Sequence, residues 1–87
     1  MKVWVTKYAL TKGILKFEKA EDTRDGMVYV KGEHGFDYGT YFHYEGKDWH
    51  RTAKAAFKRA EEMRLGKIES LKKQIEKLKV MDFTKRG

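Results

Sequence analysis

His34, His43 and His50 are the side chains best suited to move a proton near neutral pH, and their spacing decides what they can do together. They stand nine and seven residues apart, which fits neither the i, i+4 pair that grips zinc from one helix face nor the H-x₃₋₅-H of a finger. His43 has Asp37 and Glu45 nearby in sequence, an arrangement a general base could use. No Ser-His-Asp order, P-loop or dinucleotide fingerprint accompanies it. The chain has no cysteine, which removes disulfides, thiolate nucleophiles and Cys-based metal sites in one step and fits a cytoplasmic protein. The reading is a non-enzyme with no metal, no cofactor and no small-molecule substrate.

Binding chemistry is better represented. The formal net charge is +7, and it is unevenly placed: residues 48–87 hold 12 Lys and Arg against 6 Asp and Glu, whereas residues 1–47 hold 8 against 7. A basic segment of this kind invites nucleic acid, an acidic protein surface or anionic lipid, the last disfavoured by glutamates on the polar face. The bland alternative is a solvated, salt-bridged face, with Glu61–Arg64, Glu69–Lys73 and Glu76–Lys79 at pairing distances on a helix. Candidate contacts to an acidic target are Trp49, Arg51, Lys54, Lys58, Arg59, Lys72, Lys73 and Lys77, with Trp49 stacking on a base while Arg51 takes a phosphate. The reading favoured for Trp49 is a staple onto the first helical turn. Tyr38 and Tyr41 offer further stacking but are more simply sheet core. Lys31-Gly32-Glu33-His34-Gly35-Phe36 begins like an RNA-recognition octapeptide, yet Glu33 and Asp37 stand where an aromatic and a valine belong.

The element that must position most of these groups is a long amphipathic helix from Thr52 to about Met81. Ala53, Phe57, Ala60, Ile68, Leu71, Ile75 and Leu78 recur near steps of about 3.6 residues, and Thr52 is a suitable N-cap. A helix of about 30 residues is some 45 Å long, against about 17 to 20 Å for a typical strand, so roughly half of it outruns its domain. That half carries the larger apolar residues. Ile68 and Ile75 take a-like sites and Leu71 and Leu78 d-like sites, with Arg64 projecting into the same stripe. The flanking Lys67, Lys72, Gln74 and Lys79 disfavour a parallel self-dimer and favour an acidic partner helix or the protein's own sheet. A fold-back at Gly66 is a further way to cover the stripe.

Before the helix the chain alternates as β-structure does. Strands are predicted at Lys2–Leu10, Ile14–Lys19, Met27–Lys31 and Thr40–Tyr44, separated by the Thr11-Lys12-Gly13 turn, the polar loop 21–26 and the glycine-rich 32–39 connection. The expected fold is α+β: an antiparallel meander of about four strands, in one variant an SH3-like, partly open barrel, closed by the helix. One domain spans 1–87, with a β part at 1–47, the helix at 52–81 and a flexible tail at 82–87. No apolar run approaches the roughly 20 residues of a membrane span, and lysines interrupt residues 1–7, so neither a membrane segment nor a signal peptide is expected.

The opening Lys2-Val3-Trp4-Val5-Thr6-Lys7-Tyr8-Ala9-Leu10-Thr11, the join Asp48-Trp49-His50-Arg51-Thr52 and the later Lys67-Ile68-Glu69-Ser70-Leu71-Lys72-Lys73-Gln74-Ile75 together resemble small proteins encoded by bacteriophages and prophages. The resemblance covers most of the chain and brings no functional residue with it. It implies a setting, since phage accessory proteins of this size often bind and redirect a host protein, a nucleic acid or a defence complex. The leading expectation is a non-catalytic accessory protein engaging nucleic acid or a host nucleoprotein complex through its basic helix. The alternative is an inhibitor or adaptor, for example of a host defence system, with Arg64, Ile68, Leu71, Ile75 and Leu78 as its protein interface, in one variant as a homodimer.

Overall fold

The computed structural model describes residues 1–23 and 25–81. Alternating apolar residues build two three-stranded antiparallel sheets. In the first, β1 (Val3–Val5) lies between β2 (Leu15–Phe17) and β6 (Trp49–His50); in the second, β4 (Val28–Val30) lies between β3 (Glu21–Asp22) and β5 (Thr40–Phe42). The period-two alternation sends Val3, Val5, Phe17 and Trp49 from one sheet and Val28, Val30 and Phe42 from the other into one shared core, joined by Ala20. All but Ala20 are fully buried. Tyr8, Leu15 and Phe36 pack against the core's edge, with Phe36 edge-on to Phe17 at 5.6 Å and to Phe42 at 5.8 Å between ring centroids. The α+β class with a long C-terminal helix is as the sequence predicts; the sheet is more divided.

Three departures have local causes. The predicted strand Lys2–Leu10 stops at Val5, because the Thr6 N–H is taken by the Asp48 carbonyl at 2.9 Å and the Thr6 carbonyl accepts from Ala9. Ala9–Lys12 then forms a one-turn helix, α1, ended by Gly13 at φ 77°. The predicted polar loop 21–26 contains β3, whose Glu21 and Asp22 pair with Tyr29 and Val28. Finally, residues 45–48 turn the chain not directly into the helix but into β6, which pairs with β1 through Trp4–His50 and Val5–Trp49. The β part therefore runs past residue 47.

The glycine-rich segment is a connection, pinned rather than open. The Glu33 carboxylate accepts the backbone N–H groups of Glu18 at 3.0 Å and Lys19 at 3.2 Å, contacts that hold its pKa below the usual carboxylate range. His34 sits at φ 50°, and its Nε2–H donates to the Lys16 carbonyl at 2.6 Å. Gly39 is required by its surroundings: it lies at φ +82°, and a Cβ there would fall on the Tyr29 hydroxyl.

The long helix, α2, runs unbroken from Ala53 to Lys79. Thr52 caps it as its position predicts, accepting the Ala55 N–H on Oγ1 at 3.1 Å, a bond worth about 1 kcal/mol. Gly66 interrupts nothing, so no fold-back occurs. The first turns pack on α1, β1 and β6 through small residues: Ala56 is buried and Ala53 and Ala60 half-buried. Phe57, expected on that face, is instead 65% exposed. From Arg64 to Met81 every residue is exposed, and the longest dimension of the molecule reaches 61 Å. The predicted tail, 82–87, lies outside the described residues.

Candidate functional site

At the join between sheet and helix the structure uses for itself the side chains that the sequence offers for binding. Trp49 is fully buried in the core, and its indole Nε1–H donates to the Gly26 carbonyl at 3.0 Å. Buried in this way, it is not free to stack on a base. Arg51 lies over the Trp49 ring at 5.1 Å and donates from Nε to Glu45 at 2.7 Å, with Asp22 at 3.6 Å from its other nitrogen. The Glu45 hydrogen bond leads the effects that raise its pKa, and a phosphate arriving there would meet two carboxylates. Of the groups that close these contacts, Gly26 and Asp22 are distant in sequence and Glu45 is six residues away.

Behind the join lies a small buried polar cluster. Thr6 and His50 are both buried, with Thr6 Oγ1 at 2.8 Å from His50 Nε2 and at 3.0 Å from the Lys47 carbonyl. A carbonyl only accepts, so the single hydroxyl proton goes to Lys47 and His50 must donate from Nε2. Burial, and then the positive charge of Arg59, lower the His50 pKa against the opposing pull of Asp48 and Glu45. Arg59 is half-buried in α2, and its Nε has no hydrogen-bond partner among the described residues. It belongs to the helix–sheet contact rather than to an open basic face. His34 is tied to Lys16, and His43 is exposed on β5's extension, so the three histidines do not converge. Among the described residues no three His, Asp or Glu side chains gather into a metal-holding group.

The remaining candidates stand on the free part of α2 and its outer side. Lys54, Lys58, Lys72, Lys73 and Lys77 are exposed, and none makes an ion pair among the described residues. The expected Glu69–Lys73 and Glu76–Lys79 pairs do not close, whereas Glu61–Arg64 does, through two guanidinium nitrogens. Its partner draws the Glu61 pKa down and the Arg64 pKa up. Arg64 is exposed, its guanidinium held by Glu61 of the same helix. Ile68, Leu71, Ile75 and Leu78 are 36, 42, 51 and 66% exposed, side by side and uncovered.

Sequence reasoning left two members of this surface out of the expected protein interface. Counting back from Leu78 by sevens gives Leu71, Arg64 and Phe57, so Phe57 belongs to the exposed seam and not to the packed face, which lies roughly a quarter turn away on the helix. Glu61 sits in the same seam. The seven-residue step was visible in the sequence. Tyr38, fully exposed, and Tyr41, half-exposed on the outer side of the second sheet beside Tyr29 (4.9 Å between centroids), are not core as expected. No helix among the described residues is long and apolar enough to cross a membrane. Comparison with protein-family models, with curated proteins and with solved structures returns no match to this chain.

Proposed function

We propose that this chain is a non-catalytic binding protein that engages an acidic target through the projecting part of α2. One observation carries the reading: from Arg64 to Lys79 the helix leaves its own domain with six Lys and Arg against two Glu, all exposed. Charge concentrated on an arm free of the fold attracts an acidic surface at long range. The join plays a structural part, since Trp49 is buried and Arg51 is paired. Against the resemblance to phage-encoded proteins, this describes a small accessory protein that captures an acidic host component. Nucleic acid is one such target, reached by Lys72, Lys73 and Lys77 through phosphates. The exposed Ile/Leu stripe specifically favours a protein target, the adaptor or inhibitor reading, because phosphates offer it nothing.

The test is binding of a mixed pool of short DNA and RNA, and of poly-glutamate, by fluorescence anisotropy at about 50 and about 200 mM salt. At least one polyanion should bind at the lower salt, weaken at the higher, and lose its affinity in the triple variant Lys72→Glu, Lys73→Glu, Lys77→Glu with its helical circular dichroism unchanged. No binding at low salt, or binding indifferent to charge reversal, sinks the reading.

A further inference from the structure

We infer that the target of the projecting helix is itself a helix: an amphipathic segment of a partner protein with aspartate or glutamate flanking its apolar side. This rests on the acidic-target reading above and names its chemistry. The seam on α2 keeps a seven-residue register from Phe57 to Leu78, with Ile68 and Ile75 on a sites and Leu71 and Leu78 on d sites. Such a register fits the side of another helix. A nucleic-acid duplex presents charged phosphates and offers this exposed apolar seam little to pack against.

The charges beside the seam choose among helical partners. Lys58, Lys72 and Lys79 occupy e sites and Lys67 a g site, while the other e and g sites carry no charge. The carboxylates Glu62, Glu69 and Glu76 recur every seventh residue on b sites, beyond those flanks. A second copy of this chain is therefore opposed in either direction. Parallel pairing sets Lys67 against Lys72, and antiparallel pairing sets e lysines against e lysines. An acidic flank meets four lysines and no opposing acid. Within the seam, the Glu61–Arg64 pair forms a polar layer between Phe57 and the Ile68–Leu78 block, of the kind that fixes the register of a partner rather than the strength of its binding.

A synthetic peptide of about three heptads, with Ile at a, Leu at d and Glu at every e and g, provides the probe; its counterpart with Lys at e and g is the control. Isothermal titration calorimetry on the full chain should show the Glu peptide binding and the Lys peptide not. Leu71→Ser with Ile75→Ser should weaken the Glu peptide at least about tenfold, a loss of roughly 1.4 kcal/mol, with helical circular dichroism retained because both residues are exposed. Equal binding to that variant means that charge alone holds the peptide. This overturns the helix pairing and leaves the acidic-target reading standing. Equal binding of the Lys peptide overturns the charge selection. If only short DNA or RNA binds, the partner helix is likewise refuted, whereas failure of every polyanion and of the Glu peptide refutes both.

Discussion

The first turns of α2 and its last four belong to one uninterrupted helix, yet they place their apolar residues in opposite circumstances. Near the domain, the helix lies on β1, β6 and α1 through Ala53, Ala56 and Ala60. Small side chains there allow close approach but bury little area. Beyond Arg64 the helix carries Ile68, Leu71, Ile75 and Leu78 into solvent. A helix whose purpose was only to stabilise its own fold would have these types exchanged, because fully burying a Leu or Ile is worth about 1.5–3 kcal/mol and burying an alanine much less. The energy left unused on the arm is energy available for association.

This contrast can be broken first at the base. Trp49→Ala removes the largest fully buried side chain and its hydrogen bond to Gly26, and should cost about 3–5 kcal/mol. Urea titration followed by near-UV circular dichroism should show the loss. A cost below about 1 kcal/mol would mean that the two sheets do not share the core described.

A smaller effect comes from pH. His50 is buried with a lowered pKa, chiefly by desolvation and then by Arg59, with Asp48 and Glu45 opposing. The unfolded chain takes up a proton near pH 6.5 that the folded ring refuses, so this contribution is complete above that pH and is lost as pH falls through it toward the lowered folded value. The urea midpoint should drop between about pH 7 and about pH 5. His50→Gln should drop less; equal slopes would show that His50 is not the titrating group.

The smallest effect should belong to the arm alone. Gly66 has open space around it, and Gly66→Ala should stabilise the helix locally by about 0.5–1 kcal/mol. Amide hydrogen exchange should slow in residues 64–79 while the urea midpoint of the β part, read by near-UV circular dichroism, stays fixed. A midpoint that rose with the exchange protection would show that arm and base unfold as one unit.

These differences also mark what the sequence could convey. Period 3.6 and the Thr52 cap place α2 within two residues at either end, and period two places strands over Val28–Val30 and Thr40–Phe42. A helix of this length necessarily outruns strands of about five or six residues, which is how the arm shows in the sequence. What could not be read was pairing between distant segments. Glu21–Asp22 becomes a strand only because Tyr29 and Val28 lie opposite it, and Trp49–His50 only because β1 offers its free edge. The same ignorance misjudged the join: Trp49 and Arg51 looked available because Gly26, Asp22 and Glu45, which engage them, are remote or unremarkable in sequence. Phe57 was misplaced for another reason. At about 3.6 residues per turn Phe57 stands in phase with Ile75, so the stripe is continuous; what the sequence does not show is that the domain packs on the side around Ala56, about 100° away.

The central claim is that the isolated chain leaves its arm uncovered and reserves it for an acidic partner. Light scattering at low and high salt tests this most directly. The account predicts the mass of a monomer, 10.3 kDa, in both. A dimer that persists from about 50 to about 500 mM salt, and that Leu71→Ser with Ile75→Ser converts to monomer, would contradict it by showing that a second copy covers the seam.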